Sequence, residues 1–434
     1  MNGSAQRCRS TVRAWRALRW PIVDVPAWSV SLLAALAILG LGGCEDQRTP
    51  TRTPTNVLYV NGQPLMPTGV YFWPDISKPT GRNPFEDIAA YGFDTLVAYY
   101  EYVRPDRTVQ NQPDIHELRR ECDRLGINYF IDAPRRADLA DKSDEQLEAL
   151  FAATTDAVSD SPHFVGWMFD EPVWNGIDLD LMRRAATAVR AHPARPLVWI
   201  NFAPVDQRWD TPGWPDMQAY ANIGDIVGFD FYPVETGLPW EGYISKSRIE
   251  DFAWFVDVMR NWVGSSKPIW MIQQGYRPGD LESPPTDDGR RPNRTETRFM
   301  SFDALVHGAT GIFYFSGSLL RDAIPADDPT WDVYIRETAA ALRGLRDAVV
   351  STEPPETVSV SSSEVRTLAR RHHGRTVLVA VRETAGEATD VTIALGKTLT
   401  GQLVVEGENR SVAILDGSFS DRFEPYAVHI YRSQ

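Results

Sequence analysis

The chain has 434 residues, a formal net charge of -14 and a composition typical of globular proteins. That length accommodates one large domain and one smaller domain. The acidic balance argues against nucleic acid and anionic surfaces as partners. The 14 Trp and 15 Tyr are numerous. Aromatic rings can stack on sugars, although most aromatic residues simply fill cores.

Residues 1–44 predict a processed signal. A basic start with five arginines precedes an apolar segment from Val30 to Leu41, which ends in Gly42-Gly43-Cys44. This order resembles a bacterial lipoprotein signal, in which the cysteine becomes the lipidated N-terminus. We therefore expect lipidation at Cys44, a tether over residues 45–56, and a place in the bacterial cell envelope, anchored to a membrane on its periplasmic or cell-surface side. An ordinary secretory signal or an uncleaved anchor is the alternative, and the long basic region leaves open a start further along the chain.

From residue 57 onward, short apolar runs alternate with amphipathic segments, which is typical of repeated strand–helix units. A hairpin turning at Asn61-Gly62 comes first. Eight strands are then predicted, over residues 68–73, 93–99, 127–132, 164–171, 196–201, 226–233, 268–274 and 311–316. The clearer helices between and after them are predicted over residues 143–159, 179–192, 246–262, 294–307 and 331–349. The pattern predicts an α/β fold, a closed (β/α)8 TIM barrel over residues 57–352.

The sequence pattern changes after residue 353. Short alternating runs are separated by glycine turns, and helical periodicity is absent from the sequence pattern. We predict a small C-terminal antiparallel β-sandwich over residues 353–434, packed on the barrel. It would either cover barrel surface, which we favour, or bind carbohydrate.

Cysteine and histidine usage predicts neither a disulfide nor a metal site. With Cys8 removed and Cys44 modified, only Cys122 would remain, in a helical stretch where it reads as a small core residue. The seven histidines show no ligand spacing. We therefore expect no metal and no cofactor.

The fourth predicted strand ends in Asp170-Glu171-Pro172 after a continuous apolar run. In a parallel barrel the C-terminal ends of the strands open onto the active-site face. Because successive strand residues point to opposite sides, only one of Asp170 and Glu171 is expected to face the pocket. A carboxylate placed there suits acid-catalysed cleavage of a glycosidic bond. The alternative is a cap for the helix that follows.

The residues predicted at the strand ends are rich in carboxylates, amides and aromatic rings. They are Tyr71, Trp73, Tyr99, Glu101, Asp132, Asp170, Glu171, Asn201, Asp230, Tyr232, Gln273, Gln274, Tyr314 and Ser316. The set has no Lys, Arg or His, no nucleophilic Ser or Cys beside a base, and no glycine-rich phosphate loop. Such a set suits neutral, hydroxyl-rich ligands. Single members such as Asp132 and Asn201 could instead only organise their own turns.

Several motifs resemble the (β/α)8 retaining glycoside hydrolases of clan A. Asp170-Glu171-Pro172 is similar to the Asn-Glu-Pro of those enzymes, whose Glu is the general acid/base. Residues 225–233 resemble their sixth strand, residues 61–64 resemble the entry to the first strand in β-galactosidase-like members, and residues 307–315 resemble barrel proteins assigned as glycoside hydrolases. The resemblance implies a carbohydrate substrate and Glu171 as general acid/base.

One position departs from that pattern. The clan's nucleophile is a Glu at the end of the seventh strand, where alignment of Pro268-Ile269-Trp270-Met271-Ile272 places Gln273. An amide cannot form a glycosyl ester. Asp230 or Glu101 could serve as nucleophile or base, or the substrate could supply its own nucleophile, oriented by Gln273 or Asp230. The barrel could also bind sugar without cleaving it.

The leading hypothesis is therefore a lipid-anchored glycoside hydrolase acting on a poly- or oligosaccharide. Glu171 would be the general acid, with a raised pKa, and Asp230 its partner carboxylate, with Glu101 as second choice. The remaining predicted substrate contacts are Tyr71, Trp73, Asp132, Asp170, Asn201, Tyr232, Gln273, Gln274 and Tyr314. A non-catalytic glycan-binding lipoprotein and a structural envelope protein are the alternatives. The sequence predicts neither the sugar and linkage nor the oligomeric state.

Overall fold

The computed structural model describes residues 51–52, 56–60, 62–71, 83–104, 114–203, 216–234, 248–281, 286–315, 328–396 and 399–433. The predicted signal, Cys44, Trp73 and Ser316 lie outside the described residues, as does the side chain of Glu101. Residues 47–434 form one compact unit. Within the described ranges, no helix combines the length and the apolar character needed to cross a bilayer.

A three-stranded antiparallel sheet precedes the barrel. Its strands are β1 (Thr51–Arg52), β2 (Leu58–Val60) and β3 (Gln63–Leu65), in that order. The β2–β3 pair is the predicted hairpin, and Gly62 takes the positive φ of 72° that its turn requires. The β1 strand lies inside the segment predicted as a tether, so part of that segment pairs with the folded chain.

Eight parallel strands close into the predicted barrel. They are β4 (Thr68–Tyr71), β5 (Thr95–Ala98), β6 (Asn128–Asp132), β7 (Phe164–Asp170), β8 (Leu197–Phe202), β9 (Ile226–Phe231), β10 (Ile269–Gln274) and β11 (Gly311–Phe315). Each pairs with the next, and β11 pairs with β4 to close the ring. The continuous apolar runs predicted these strands because a barrel strand is buried on both faces.

Helices cover the outside of the ring. The described ones are α1 (Pro84–Tyr91), α2 (Tyr100–Val103), α3 (Ile115–Leu125), α4 (Arg136–Leu139), α5 (Asp144–Val158), α6 (Leu179–Ala191), α7 (Met217–Ile223), α8 (Phe252–Val263), α9 (Arg294–Val306) and α10 (Arg336–Val349). A short 3₁₀ turn (Ile249–Asp251) precedes α8, and a π-helical turn (Thr330–Ile335) precedes α10. Ser143 caps α5 in a reciprocal capping box with Gln146, and Cys122 is buried in α3, as predicted.

The barrel interior is filled by four large rings, Phe130, Trp199, Trp270 and Phe313, packed edge-on or tilted at centroid distances of 4.9 to 5.6 Å. A glycine on β9 makes room for one of them, since a Cβ on Gly228 would lie 2.3 Å from the Trp199 Nε1. This aromatic plug forms the floor beneath the C-terminal ends of the strands.

The C-terminal region forms two antiparallel sheets, as predicted. Its strands are β12 (Val358–Val360), β13 (Val365–His372), β14 (Arg375–Arg382), β15 (Thr389–Leu395), β16 (Gly401–Val405), β17 (Arg410–Ile414), β18 (Ser418–Phe423) and β19 (Val428–Ser433). One sheet has the order β12-β15-β18 and the other β13-β14-β19-β16-β17.

The five-stranded sheet packs on the barrel helices. Val379 of β14 and Ile430 of β19 belong to the same buried cluster as the residues between strands and helices of the barrel. The Tyr426 hydroxyl donates a hydrogen bond of 2.7 Å to Glu250, and its ring lies 4.9 Å from that of Phe299 in α9. These contacts agree with a covering role, while the predicted domain limits at residues 57, 352 and 353 remain predictions.

Candidate active site

The C-terminal ends of four adjacent strands bring together the side chains of Asp132, Asp170, Asn201 and Asp230. Each occupies an inward position, continuing the alternation of the apolar residues that form the barrel interior. Asp132, Asn201 and Asp230 are buried, and Asp170 is partly buried. The sequence prediction that these residues meet at one face of the barrel is therefore matched by their placement.

Asn201 links two of the carboxylates. Its Nδ2 donates hydrogen bonds of 3.2 Å to Asp170 Oδ1 and 2.8 Å to Asp230 Oδ1. The two oxygens therefore lie no farther apart than the sum of these lengths, about 6 Å. One buried amide thus holds two acidic groups at a spacing that a sugar ring can bridge.

A cation that lies outside the strand ends also reaches this group. Arg135, in the turn after β6, donates a 2.9 Å hydrogen bond to Asp132 Oδ2 and lies 3.6 Å from Asp170 Oδ2. It also donates to the main-chain oxygen of Asp170, at 3.3 Å. The sequence analysis did not select Arg135, because it considered strand ends and not the turn three residues beyond one of them.

Burial controls the ionisation of Asp132. Desolvation raises its pKa well above the usual value for Asp. Arg135 opposes this and lowers the pKa, and the neighbouring Asp170 charge raises it by less than Arg135 lowers it. Burial likewise raises the pKa of Tyr71, and the charges of Asp132 and Asp170 add to the effect. Tyr71 therefore stays protonated and donates a 2.9 Å hydrogen bond to Asp170 Oδ2.

Glu171 leaves the strand conformation, with a φ of 43°. Its amide donates to Asn201 O at 2.9 Å, and its carbonyl accepts hydrogen bonds of 2.9 and 3.2 Å from the backbone N and Nδ2 of Asn175. A left-handed conformation at a non-glycine residue costs about 1–3 kcal/mol and is concentrated at functional sites. Fixed hydrogen bonds on both sides hold Glu171 in this conformation.

The charge of the Glu171 carboxylate raises the pKa of the same two tyrosines as the charge of Asp230, namely Tyr232 and Tyr276. Burial raises the pKa of Tyr232, and Asp230, Asp170 and Glu171 raise it further. Burial also raises the pKa of Tyr276, with added contributions from Asp230 and Glu171. Asp170 and Glu171 thus both raise the pKa of Tyr232, and the left-handed turn at Glu171 ends the strand alternation after Asp170.

Aromatic rings form the wall of the site. Tyr71 stacks on Tyr99 at 5.3 Å between centroids, and Tyr232 stacks on Phe315 at 5.5 Å. Tyr276 packs edge-on against both Tyr232 and Phe315. The sequence analysis did not select Tyr276 or Phe315 as site residues. Strand parity would have indicated Phe315, which follows the inward-facing Phe313 by two residues.

Gln273 and Tyr314 are not brought into this group. Gln273 Oε1 accepts a 2.8 Å hydrogen bond from Ser301 of α9, and its Nε2 donates to Thr297 O at 3.3 Å. The Tyr314 hydroxyl lies 2.9 Å from the Ser301 Oγ. Both side chains are fully buried between the barrel and α9, so their predicted contact with substrate is not supported by the structure.

The inward residue at the end of β10 is Gln274. Its Oε1 accepts from Val234 N at 2.8 Å, and its Nε2 donates to Val234 O at 2.8 Å and to Tyr276 O at 2.9 Å. The inward position that corresponds to the clan nucleophile is therefore Gln274 and not Gln273, and an amide occupies either position. Gln274 holds the segments after β9 and β10 together.

An exposed indole lies close in sequence to the acidic group. Trp174 is 62% exposed, in the turn that begins at Pro172. The turn is held by hydrogen bonds from Gly176 N to Val173 O and from Ile177 N to Pro172 O. A stacking surface is thus presented three residues after Glu171.

No family model and no curated protein matches the chain. Solved structures match most of it. One described as a glycoside hydrolase aligns with a TM-score of 0.61 and 11% identity, covering 89% of this chain and 96% of the other. A family 5 glycoside hydrolase from Bacteroides vulgatus aligns with a TM-score of 0.58 and 12% identity, covering 89% of this chain and 93% of the other.

An α-amylase from Geobacillus thermoleovorans, complexed with acarbose, gives a TM-score of 0.53 and 11% identity, covering 85% of this chain and 98% of the amylase. At such identities the similarity shows a shared fold. The barrel and its C-terminal sheets are therefore an architecture found in solved glycoside hydrolases.

The raised pKa of Asp132 predicts a change in the pH dependence of stability in Asp132→Asn. The folded chain holds this proton more tightly than the unfolded chain, in which the pKa is about 3.9. The stabilising contribution is therefore complete below that value and is lost as the pH rises through the folded pKa. We expect the free energy of unfolding of the variant, relative to wild type, to increase with pH.

Urea unfolding at a series of pH values measures this difference, with the exposed Asp141→Asn as the control. Parallel curves for wild type and Asp132→Asn would contradict the assignment.

Proposed function

We propose that the protein is a glycoside hydrolase that cleaves O-glycosidic bonds in a poly- or oligosaccharide. The observation that carries the proposal is the group of carboxylates at the C-terminal mouth of the closed barrel, bordered by protonated tyrosines. Glycosidic cleavage needs two carboxyl groups on either side of the scissile bond. Tyrosine hydroxyls and amides bind sugar hydroxyls, while aromatic faces pack against the apolar faces of sugar rings.

Glu171 is the proposed general acid/base. Its backbone is held by hydrogen bonds with Asn201 and Asn175. Its charge contributes to the raised pKa of Tyr232 and of Tyr276. A partly desolvated carboxyl group among other carboxylates retains its proton to higher pH and can transfer it to the leaving oxygen. The raised pKa of Glu171 is part of this proposal, and a pH profile of kcat would measure it.

Asp230 is the proposed partner carboxylate. It is buried, it accepts a hydrogen bond from Asn201, and it acts on the same two tyrosines as Glu171. This shared effect on Tyr232 and Tyr276 supports a pairing of the two acidic groups. A separation of about 5–5.5 Å would suit Asp230 as the nucleophile of a retaining reaction, and about 6.5–9.5 Å would suit it as the base of an inverting one.

Asp170 is proposed to position the other groups. Its side chain interacts with Tyr71, Asn201 and Arg135, so its oxygens are engaged on several sides. Gln274, the inward amide of β10, supplies no carboxylate. The reaction therefore depends on the carboxylates of the neighbouring strands.

The amide at Gln274 also favours a second function, glycan binding without cleavage. A site that lacks the strand-seven carboxylate keeps the aromatic wall and the hydrogen-bonding groups that bind sugars. Calorimetry and product analysis on the same glycan distinguish the two functions. Binding heat without product over a long incubation would replace our first proposal with the second.

Replacing Glu171 with Gln tests the acid/base role. We expect a loss of about 10²–10⁴ in kcat on a glycan that the wild type cleaves, because the amide cannot donate the proton. Reducing-sugar release after a screen of glycans measures the rate. Glu148→Gln, at an exposed position on α5, is the control and should leave the rate unchanged. Wild-type turnover in Glu171→Gln would refute the assignment.

Trp174 is proposed as a stacking surface at the rim of the site. Trp174→Ala should raise KM for an oligosaccharide roughly fivefold with little change in kcat, since stacking contributes about 1 kcal/mol to substrate and transition state alike. Leu415→Ala, which removes an equally exposed apolar side chain from the C-terminal sheets, is the control. An unchanged KM would exclude this stacking contact.

We also propose that Cys44 carries a lipid that anchors the protein to a membrane of the bacterial envelope. The order of basic, apolar and small residues before Cys44 supports the proposal. Cys44→Ser should move the protein from the membrane fraction to the soluble fraction, as measured by immunoblotting after ultracentrifugation, while Cys8→Ser should have no effect. Equal membrane association of all three proteins would contradict lipidation at Cys44.

A further inference from the structure

A second group of acidic and imidazole side chains lies away from the barrel mouth, where α9 meets the five-stranded sheet. Asp303 is on the last turn of α9. His307, four residues after Asp303, directly follows the end of that helix. Glu383 comes directly after β14. The three residues thus join the barrel to the C-terminal region.

Three potential ligand atoms converge in this group. His307 Nε2 lies 2.8 Å from Glu383 Oε1 and 3.8 Å from Asp303 Oδ1. All three atoms lie within 4.8 Å of one another. One imidazole nitrogen and two carboxylate oxygens form a donor set suited to a borderline-soft divalent cation such as Zn²⁺.

Asp303 supplies an independent observation that points to a bound cation. The residue is only 1% exposed, and its Oδ1 accepts no hydrogen bond. A buried carboxylate oxygen without a donor is costly, and a bound cation would compensate for that cost. This oxygen is the one directed at His307 Nε2.

The surrounding groups orient the ligands. His307 Nδ1 lies 2.9 Å from Asp257 Oδ1 on α8, without the geometry of a hydrogen bond. A carboxylate at that distance attracts a ring N–H at Nδ1 and so favours the tautomer whose Nε2 can bind an ion. Arg366 Nε donates a 2.8 Å hydrogen bond to Glu383 Oε1. A carboxylate oxygen has two lone pairs, so this bond leaves one for a metal.

Charge balance also favours a divalent ion. Asp257, Asp303 and Glu383 are three carboxylates, and Arg366 is the cation paired with them. With the three carboxylates ionised and His307 neutral, as they would be around a bound metal, they leave two negative charges, which one divalent ion neutralises.

We propose that Asp303 Oδ1, His307 Nε2 and Glu383 Oε1 bind one Zn²⁺-type ion that ties α9 to the C-terminal sheet. The ligand atoms would close to about 2.0–2.2 Å from the ion, and a fourth position would hold water. The sequence analysis predicted no metal because it compared histidines with one another, whereas this group has a single histidine and its third ligand is distant in the chain. The four-residue spacing of Asp303 and His307 was the available signal.

Calorimetric titration of the chelator-treated full-length protein with ZnCl₂ at neutral pH tests the proposal. We expect one Zn²⁺ to bind per chain and Tm to rise with Zn²⁺ concentration, because the ion binds the folded state. MgCl₂ should produce neither effect, since Mg²⁺ prefers an all-oxygen octahedral site. Absence of Zn²⁺ binding to the wild type would overturn the proposal, whatever the glycan activity of the protein.

Two variants and a matched control locate the ion. Glu383→Gln should abolish Zn²⁺ binding. Glu364→Gln should retain it, because that carboxylate is half exposed and pairs with Arg382 instead. Asp257→Asn should weaken binding roughly ten- to a hundredfold. If Glu383→Gln does not fold, Asp257→Asn, at a side chain that is 46% exposed, carries the test. Wild-type affinity in a folded Glu383→Gln or in Asp257→Asn would place the ion elsewhere and overturn the site.

Discussion

The hydrogen bonds from the buried Asn201 amide to Asp170 and Asp230 are the constraint on which the rest of the barrel mouth depends. Two carboxylates this close repel each other unless fixed donors stand between them. Asn201 fits there because β9 has a glycine opposite it, since a Cβ on Gly228 would lie 2.8 Å from Asn201 Oδ1. Arg135 and Tyr71 stabilise Asp170 from the other side. A single amide thus sets the spacing, and the neighbouring residues adapt to it.

The C-terminal sheet supports this mouth through α9. The sheet packs against that helix, and Ser301 of the helix contacts Gln273 and Tyr314 on the outer side of the barrel wall. On the inner side of the same strand, Gln274 holds Tyr276 and the segment after β9. The sheet is therefore linked to the aromatic wall through α9 and β10. The packing of the C-terminal region on the barrel thus bears on the site.

The strands, most helices and the acidic strand ends could be predicted because buried parallel strands and capped helices leave strong local patterns. The sequence motif located β10 but not its register, so it indicated Gln273, whereas Gln274 faces inward. The same one-residue shift applies to β11, where the sequence indicated Tyr314 but Phe315 packs on Tyr232 at the barrel mouth. A displacement of one residue reverses every side chain of a strand. Arg135 and the left-handed Glu171 were missed because turn geometry depends on tertiary contacts that no local pattern encodes.

The aromatic plug limits how a saccharide could meet the proposed catalytic groups. Phe130, Trp199, Trp270 and Phe313 fill the barrel from wall to wall, so a sugar chain cannot thread through the ring of strands. Entry and departure must share one opening. Under the proposed function, a saccharide would reach Glu171 and Asp230 from the C-terminal ends of the strands and leave by the same face.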